Sequence, residues 1–389
     1  MTPRTDCRHY RVSEPCVPHK LSGARCDGCT HYDPVAERIL VIKLGAMGDV
    51  LRTTSCLAPL KERYPRSHIT WVTRSNAVPL ITRNRWVDRV LPIEGHYLEF
   101  VQTEQFDLAL GLEAETLTAA IASLARAEMK RGFVADGRGG ITPLNAAARE
   151  WWRMGLDDDL KPRNRVTYGE WLYAICDLPL PVARPVFEPT AQALARIATL
   201  LRERCPEAQR RVCFNTGGAA RWNEKRWKAS YYGELAGMLR ERNPGAAVVL
   251  VGGPEEADFN RALLASYPEF VDGGVDNSVD DFAALIAACD WILTSDSLGY
   301  HIACAVGTPA VCLVGPTSPW ELDLYGRNRV LYSDVDCIAC YRRTCPFATT
   351  CMDLLRPAAI LPSVERPFQA EHAAAVAIPI AQSPAQAIA

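Results

Sequence analysis

The stretch Arg38-Ile-Leu-Val-Ile-Lys-Leu-Gly-Ala-Met-Gly-Asp49 decides the fold, because a continuous apolar run passes straight into a glycine loop. Such a run is typical of a strand that is buried on both faces of a parallel sheet. Asp49 opens a predicted helix that extends to Arg63, and Ile69-Thr-Trp-Val-Thr73 follows as a second strand. The segment therefore predicts a complete βαβ unit.

The first half of the chain continues this alternation. Further strands are predicted at 89–92 and 106–110, and an alanine-rich helix at 115–126 follows the second of them. Residues 177–190 carry four prolines and no helical period, which is typical of an extended linker. We place a domain boundary in this linker, between residues 180 and 181.

After the linker the alternation resumes. Strands are predicted at 212–216, 247–251, 291–294 and 310–314, with helices at 231–242, 255–267, 279–289 and from Ser297 onward. The sequence therefore predicts an α/β protein of two Rossmann-like, doubly wound parallel-sheet domains, at 34–180 and 181–356, that face a cleft. A cysteine-rich extension occupies 1–33, and an Ala/Pro-rich tail, whose last twenty residues we expect to be poorly ordered, occupies 357–389.

Length and charge agree with this arrangement. A chain of 389 residues, 48% of them apolar, is long enough to fill two cores. Its formal charge of -2 at pH 7 argues against nucleic acid as a partner. No stretch reaches the roughly 18 consecutive apolar residues of a membrane span, and Cys7, His9, Glu14 and Cys16 stand where a signal peptide would have an apolar core. We therefore expect a cytoplasmic protein.

The glycine loop after the first strand is the first candidate site. The amides around Gly48 at a helix start favour an anion, and Asp49 is a candidate general base. The alternative is that Asp49 merely caps the helix. The loop is not a dinucleotide fingerprint, because that pattern needs three glycines spaced G-x-G-x-x-G.

The second domain offers a polar loop from Asn215 to Trp227, directly after a strand. Thr216, Gly217 and Arg221 are candidates for holding a diphosphate, and the alternative is a solvated basic loop. The next strand ends in Val251-Gly-Gly-Pro-Glu-Glu256, where the carboxylates of Glu255 and Glu256 are candidate acceptors for ribose hydroxyls or ordinary first-turn acids.

The segment Thr294-Ser-Asp-Ser-Leu-Gly-Tyr-His301 is richest in polar groups. It follows an apolar strand and opens a helix with Ser, Asp, Ser and Gly, which predicts a phosphate-sized site at the helix start. His301 lies one turn further on and is either a donor-binding residue or a packed core histidine.

Five stretches resemble the ordered motifs of the ADP-heptose:lipopolysaccharide heptosyltransferases, glycosyltransferase family 9. They are Lys43-Leu-Gly-Ala-Met-Gly-Asp-Val50, Gly217-Gly-Ala-Ala-Arg-Trp-Asn-Glu-Lys-Arg-Trp227, Ser295-Asp-Ser-Leu-Gly-Tyr-His301, Gly307-Thr-Pro309 and Gly315-Pro-Thr317. The resemblance spans residues 38–356, and the order and spacing of the motifs are more specific than any one of them.

The resemblance implies a GT-B fold and an inverting transfer that needs no metal. It makes Asp49 the base that takes the proton of the acceptor hydroxyl, and Lys225 the group that neutralises the diphosphate leaving group. It also implies that a site made of Asp296, Ser297, Leu298 and Gly299 holds the donor, which we expect to be ADP-heptose. An inverting displacement needs a base on one side and positive charge on the other, so the chemistry agrees. The position of Asp49 in a first helical turn is a difficulty, because it should weaken the base.

The acceptor is expected to be a lipopolysaccharide-core-like glycan or a protein. In the family the first domain holds the acceptor, and the aromatic and basic segment from Arg149 to Trp171 suits that role, although it reads equally well as a surface helix pair. A lipid-linked acceptor would bring the enzyme to the inner face of the membrane. The aspartate triplets at 157–159 and 334–336 follow no glycine loop, so we interpret both as solvated.

Two alternatives belong to other functional classes. One is a non-catalytic, metal-bearing protein that binds nucleotide sugars, and the joint presence of Asp49, Lys225 and Asp296 argues against it. The other is a nicotinamide dehydrogenase, which the missing glycine fingerprint disfavours.

Fourteen of the fifteen cysteines fall into two kinds. Six lie singly in apolar segments and are predicted to be buried thiols: Cys56, Cys176, Cys213, Cys289, Cys304 and Cys312. Two groups of four have spacings that suit a structural zinc or iron ion: Cys7, Cys16, Cys26 and Cys29, and the finger Cys337, Cys340, Cys345 and Cys351. For the finger, a compact loop of packed thiols is the alternative. For the extension, free thiols or an iron–sulfur cluster are the alternatives.

Overall fold

A computed structural model of the chain describes residues 2–218, 223–365 and 374–379. The chain forms two compact units. Unit 1 comprises Met1–Gly45, Cys56–Arg149 and Leu172–Leu180, and unit 2 comprises Ala46–Ser55, Glu150–Trp171 and Pro181–Ala389. The short segment that carries Asp49 therefore groups with the second sheet and not with the strand that precedes it.

The described residues contain the following elements. The strands are β1 Arg38–Ile42, β2 His68–Thr73, β3 Arg89–Pro92, β4 Gln105–Gly111, β5 Arg126–Ala135, β6 Ile141–Pro143, β7 Arg210–Asn215, β8 Ala246–Val251, β9 Phe270–Asp272, β10 Trp291–Ser295, β11 Ala310–Val314, β12 Arg329–Ser333 and β13 Ala374–Ile378. The helices are α1 Val17–Ser22, α2 Met47–Thr53, α3 Leu57–Arg63, α4 Val78–Ile81, α5 Tyr97–Thr103, α6 Thr116–Leu124, α7 Ala146–Leu156, α8 Tyr168–Cys176, α9 Ala191–Arg204, α10 Ala229–Arg242, α11 Ala257–Ser266, α12 Val279–Ala287, α13 Leu298–Val306, α14 Cys351–Leu354 and α15 Pro357–Glu365.

The sheet of unit 1 has the order β3-β2-β1-β4-β5-β6 and is parallel except for the β5–β6 pair. β1 lies in its centre, where Val41 pairs with Trp71 on one side and Leu110 on the other. The side chains of Ile39 and Leu40 are fully buried, as the continuous apolar run predicts.

The sheet of unit 2 has the order β13-β12-β11-β10-β7-β8-β9 and all its pairs are parallel. Its first strand, β7, lies inside the sheet between β10 and β8. The chain adds β8 and β9 on one side of β7, and it then reverses direction and adds β10 to β13 on the other side. Phe214, Trp227, Leu293 and Leu313 belong to the core packed on this sheet. Two doubly wound parallel sheets confirm the predicted fold class.

The predicted helix from Asp49 to Arg63 is interrupted. α2 ends at Thr53, a 3-10 turn follows at Thr54–Cys56, and α3 begins at Leu57. Pro59 explains the break, because it has no N–H to donate to a carbonyl one turn earlier and is tolerated only in a first turn. α2 is thereby a separate short helix that carries Asp49.

The ten-residue strand β5 was missed in the sequence. Four of its ten residues are charged and only Gly132 and Phe133 are buried, so the strand shows no apolar alternation. The strand is held by main-chain pairing with β4, and Gly132 makes this pairing close: a Cβ there would lie 2.0 Å from the carbonyl oxygen of Gly111. Burial patterns cannot reveal a strand that is stabilised mainly through its backbone.

The predicted tail is not wholly irregular. α15 and β13 lie within 357–379, and β13 pairs in parallel with β12 at the edge of the second sheet. Ile360, Leu361 and Ile378 are buried in the core of unit 2. These apolar residues, scattered among Ala and Pro, explain why the composition was misleading; residues 380–389 lie outside the described part of the chain.

The cysteine-rich extension contains one short helix, α1. It packs against the rest of unit 1 through Arg8. The Nε of Arg8 lies 2.9 Å from Asp33, Nη2 donates to the carbonyl of Ser67 at 2.9 Å, and Nη1 contacts Asp88. Burial of the guanidinium lowers the pKa of Arg8, but Asp88 and Asp33 raise it above its ordinary value. The extension thus relies on the main domain, as its small apolar content requires.

The segment between α8 and α9, described in full, has neither helix nor strand, as the linker prediction requires. It ends at Thr190, whose side chain caps α9 by accepting from the amide of Ala193 at 3.0 Å. Among the described helices, none is both long and apolar enough to cross a membrane.

Candidate active site

The polar side chains at the carboxyl ends of β7 and β10 meet where the chain reverses its winding. Asn215 Nδ2 donates to Thr294 Oγ1 at 2.9 Å and to Ser297 Oγ at 3.2 Å, and Ser295 Oγ donates to the carbonyl of Gly217 at 3.0 Å. In open α/β sheets, ligands bind at this reversal point, outside the carboxyl ends of the strands. The two loops predicted as donor-binding therefore form one polar rim.

Two glycines allow these loops to approach one another. A Cβ at Gly299 would lie 2.5 Å from Asn215 Nδ2, and a Cβ at Gly218 would lie 2.7 Å from Cβ of Ser297. Gly218 also has a φ of +110°, in the region that favours glycine. The first-turn amides of α13, from Leu298 onward, are thereby brought beside the rim, where they favour an anion.

Gly299→Ala is expected to lower the free energy of unfolding by about 1–3 kcal/mol, because Asn215 must shift and leave buried polar partners unsatisfied. Gly237→Ala is the matched control, since Gly237 also lies inside a helix, but apart from its chain neighbours and the backbone of its own helix no described atom lies within 4 Å of the new Cβ. The control is expected to gain about 0.5–1 kcal/mol. Denaturant unfolding of both variants checks this, and equal stability of the two would contradict it.

Lys225 and Asp296 form an ion pair at the same rim. Lys225 Nζ lies 2.7 Å from Asp296 Oδ2 and 3.1 Å from its carbonyl oxygen, and Thr317 Oγ1 donates to the same Oδ2 at 2.9 Å. Burial raises the pKa of Asp296, but the charge of Lys225 outweighs it and holds the pKa well below the usual range. The pair supplies a fixed cation at the rim.

Asp49 lies in the first turn of α2. The N-cap position is occupied by Ala46, so Asp49 is not the capping residue that the alternative interpretation required. Its carboxylate is about one-third exposed, and Oδ1 lies 2.7 Å from Nη2 of Arg52, one turn further along the helix.

Arg52 is a site residue that the sequence analysis missed. Its guanidinium carbon lies 3.4 Å from the ring centroid of Tyr168, and its side chain is 14% exposed. Burial lowers the pKa of Arg52, but the charge of Asp49 and further negative groups raise it above its ordinary value. The spacing of three residues from Asp49 on a predicted helix was the available signal.

His301 packs directly on the glycine loop, since a Cβ at Gly48 would lie 2.6 Å from its Cδ2. Burial, together with the charge of Arg52, lowers the pKa of His301 to about 4, although Asp296 and Asp49 act in the opposite direction. The imidazole is therefore neutral near pH 7. The charges of Asp49, Arg52, Asp296 and Lys225 all influence this pKa, and all four residues belong to unit 2.

Glu321 and Tyr341 are two further site residues that the sequence did not indicate. Burial raises the pKa of Glu321, and Arg52 and a hydrogen bond from Tyr341 partly offset this. The Tyr341 amide donates to the carbonyl of Pro316 at 2.8 Å, and its hydroxyl accepts from the amide of Ser318 at 3.3 Å. The cysteine-rich finger therefore reaches the site through Tyr341.

The remaining donor-binding predictions have mixed placements. The Thr216 hydroxyl is buried and lies 2.6 Å from Asn260 Oδ1, so it faces the interior. Glu255 is exposed, whereas the adjacent Glu256 is buried and accepts from the amide of Gly253 at 3.0 Å. Burial raises the pKa of Glu256. Arg221 lies outside the described residues.

The aspartate triplets and the cysteine groups were the candidate metal sites. Asp157, Asp158, Asp159, Asp334 and Asp336 are exposed, which confirms the interpretation that they are solvated. Within residues 2–218, 223–365 and 374–379, no three His, Cys, Asp or Glu side chains are grouped as ligands of one ion. The placement of the eight cysteines therefore does not by itself fit a coordinated metal.

The thiols of the finger nevertheless affect one another. Burial raises the pKa of Cys351 to about 12, and the neighbouring thiols Cys340, Cys337 and Cys345 contribute to the shift. The six cysteines predicted to be core thiols are all buried, and so is Cys205.

Comparison with known sequences then decides the family. The profile described as glycosyltransferase family 9 (heptosyltransferase) matches residues 98–350, which is more than half of the chain. This chain belongs to glycosyltransferase family 9. It is therefore an enzyme that transfers a sugar, and the non-catalytic alternative is not favoured.

Individual relatives agree with the family. Lipopolysaccharide heptosyltransferase 2 of Salmonella typhimurium is 29% identical over 312 residues, covering 72% of this chain and 84% of the relative. Among solved structures, a family 9 glycosyl transferase from Veillonella parvula superposes with a TM-score of 0.68 at 18% sequence identity. The superposition covers 85% of this chain and 97% of the Veillonella chain. The ADP-heptose lps heptosyltransferase II of E. coli has a TM-score of 0.61 at 23% identity, covering 84% and 97%. The fold of this glycosyltransferase is thus the predicted GT-B fold.

Proposed function

We propose that this glycosyltransferase moves heptose from ADP-heptose, with inversion, to a hydroxyl of a lipopolysaccharide-core-like glycan or of a protein. The observation that carries the proposal is that His301 packs on Gly48, next to the Asp49–Arg52 ion pair, in the same unit as the Lys225–Asp296 ion pair. The Salmonella relative is a lipopolysaccharide heptosyltransferase and the E. coli relative an ADP-heptose lps heptosyltransferase, which supports the sugar, the nucleotide and the glycan.

On the acceptor side, Asp49 acts as the general base. Its carboxylate takes the proton of the acceptor hydroxyl while that oxygen attacks the anomeric carbon of the donor. His301 does not compete for this proton near pH 7, because its pKa is lowered to about 4 by burial and by Arg52.

On the leaving-group side, the bond between the anomeric carbon and the diphosphate oxygen breaks, and ADP departs with the bonding electrons. Lys225, kept charged and fixed by Asp296, neutralises the developing negative charge. The first-turn amides of α13 at Leu298 and Gly299 add hydrogen-bond donors for the phosphates. The proposed chemistry uses the chain's own residues and no cofactor.

The nucleotide is proposed to lie along the rim of β7 and β8. Gly217 offers a bare backbone, and a Cβ there would lie 3.5 Å from Oε2 of Glu256. Of the two predicted carboxylates, Glu256 is therefore proposed as a contact of the ribose hydroxyls beside Glu255. Arg221 stays a predicted contact of the diphosphate.

The acceptor is proposed to lie along the aromatic and basic segment that begins at Arg149. Trp151 packs edge-on against Tyr168, with ring centroids 5.5 Å apart, and Arg165 lies 3.6 Å above the ring of Trp320. Rings and guanidinium groups of this kind suit sugars and their phosphates. We place the reaction in the cytoplasm, at the inner face of the membrane where the acceptor is lipid-linked.

A structural zinc or iron ion at the two cysteine groups also stays a proposal. In both groups, the support for it is the spacing of the cysteines in the sequence. No step of the transfer passes through such an ion.

A binding panel tests the donor. ADP-, GDP-, UDP- and dTDP-sugars are titrated against the purified chain, and we expect ADP-heptose to bind best. Asp296→Asn is expected to weaken this binding by about tenfold or more, because Lys225 loses its charged partner at a partly buried site. The control, Asp336→Asn, changes an exposed aspartate of unit 2 and should bind as the wild type does. Tighter binding of another nucleotide sugar would overturn the assignment of ADP-heptose as the donor. If none of the nucleotide sugars binds, the proposed transfer is overturned.

A further inference from the structure

Tyr168 is held in place by one buried carboxylate, that of Asp323, which accepts hydrogen bonds from the residue before Tyr168 and from the residue after it. Thr167 Oγ1 donates to Asp323 Oδ1 at 2.6 Å, and the amide of Gly169 donates to Asp323 Oδ2 at 3.1 Å. Asp323 is 9% exposed, and a Cβ at Gly169 would lie 2.7 Å from its Oδ1. The residues that flank Tyr168 are thus fixed by one acid of unit 2.

The ring of Tyr168 in turn supports Arg52. The guanidinium carbon of Arg52 lies over the ring, 3.4 Å from its centroid, and the hydroxyl of Tyr168 lies 3.3 Å from Thr53 Oγ1 on α2. Tyr168 is 4% exposed. A guanidinium stacked on a buried ring keeps one orientation, because both its planar surface and its stem are packed.

Arg52 directs one edge at the base. Nη2 lies 2.7 Å from Asp49 Oδ1, and within the described part of the chain the buried Nε has no hydrogen-bond partner. The stack on Tyr168 therefore determines where the guanidinium sits, and the ion pair with Asp49 follows from it.

We propose that Arg52, supported by Tyr168 and Asp323, is the positioning residue of the base: it orients the carboxylate of Asp49 and sets the pH at which that carboxylate can accept a proton. The proposal rests on the proposed function, in which Asp49 is the base. Arg52 touches no reacting atom in this role and acts through Asp49.

The charges that face Asp49 decide the sign of the effect. They include Arg52 on the same helix, His301 on α13 and Glu321 after β11. Burial, with Arg52, keeps His301 neutral near pH 7, and Glu321 is an acid that opposes ionisation of Asp49. Arg52 is the nearest cation and favours the ionised carboxylate, so its removal should raise the pKa of Asp49.

The test measures this pKa directly and without turnover. Carboxyl carbon-13 NMR titration follows the Asp49 signal, which is assigned by its absence in Asp49→Asn. In Arg52→Gln we expect the midpoint of the Asp49 titration to rise by about one pH unit. This is the low end of the effect of a neighbouring opposite charge, because Asp49 is partly exposed. The acidic limb of kcat against pH should move upward by the same amount, while the affinity for ADP stays within about twofold, or 0.4 kcal/mol.

Companion variants separate charge from orientation. Arg52→Lys keeps the charge but loses the planar stack, so its titration midpoint should stay near the wild type while kcat falls. Tyr168→Leu should lower kcat in the same way, and Tyr168→Phe, which retains the ring, should recover most of the loss. Arg261→Gln is the control, because Arg261 pairs with Asp258 at the same helical spacing and the same 2.7 Å but is exposed.

The outcomes are distinguishable. An unchanged Asp49 midpoint in Arg52→Gln overturns the inference even if the enzyme is active and Asp49→Asn is not. A loss of ADP affinity equal to the loss of kcat also overturns it, because Arg52 would then be a donor ligand. Full activity of Asp49→Asn overturns the proposed base, whatever the NMR midpoint shows.

Discussion

Asp49→Asn is expected to lower kcat by about 10³-fold, because an amide cannot take the proton of the acceptor hydroxyl. Donor affinity should stay near that of the wild type, since the proposed donor contacts lie on the β7 and β10 loops and Asn fills the same volume. The measurement is initial-rate kinetics with saturating donor, together with a separate titration of ADP.

The control for this variant is Asp258→Asn, which removes an exposed acid paired with Arg261 at the same spacing on α11. It should be indistinguishable from the wild type. An Asp49→Asn enzyme with more than about one-tenth of wild-type kcat would contradict the assignment, because a general base is ordinarily worth at least 10²-fold.

Lys225→Ala is expected to have the second largest effect, lowering kcat/KM by about 10²–10³-fold through loss of the cation that stabilises the leaving diphosphate. The substitution also leaves the carboxylate of Asp296 with Thr317 and without its ion-pair partner. We therefore expect a loss of about 3 kcal/mol or more in stability, because removing one member of a largely buried pair leaves an uncompensated charge.

Both parts of this prediction can be measured on one preparation, by steady-state kinetics and by denaturant unfolding. Lys225→Arg should restore much of the stability, because it keeps the charge near Asp296. Lys228→Ala is the control, since Lys228 is half-exposed and pairs with Asp353. Equal losses of kcat/KM in Lys225→Ala and Lys228→Ala would contradict the proposed role of Lys225 at the leaving group.

The fold could be predicted largely because its central strands are buried on both faces. The runs that became β1, β10 and β11 are mostly apolar and are buried almost throughout, and such runs are typical of the inner strands of a parallel sheet. The strands that escaped notice lie at or near sheet edges. β5 is charged and depends on backbone pairing, and β13 is a short run of Ala, Val and Ile inside a segment whose composition suggested disorder.

The site residues that directly follow a strand in the sequence could be predicted. Asp296 and Ser297 follow β10 immediately, so their approach to the β7 loop is fixed by the order of the strands. Glu255 and Glu256 show the limit of this reasoning. They are adjacent in a 3-10 turn, and only the path of the backbone decides that Glu256 is the buried one.

Other site residues were out of reach of the sequence for different reasons. Arg52 was visible in principle, three residues after Asp49 on a predicted helix. Glu321 and Tyr341 come from an irregular region, and Tyr341 adopts a φ of +52°, which no propensity favours for tyrosine. Tyr168 lies 116 positions from Arg52, and neither periodicity nor a motif connects them.

The most direct test of the central claim is the balance of the reaction itself. Purified enzyme, ADP-heptose and a lipopolysaccharide-core glycan acceptor are incubated, and ADP is quantified alongside the mass of the acceptor. The account predicts one ADP released for each heptosyl unit gained by the acceptor, with the anomeric configuration inverted. Retention of configuration would contradict the single displacement assisted by Asp49. An acceptor of unchanged mass, with ADP-heptose neither bound nor consumed, would contradict heptose transfer to this acceptor class.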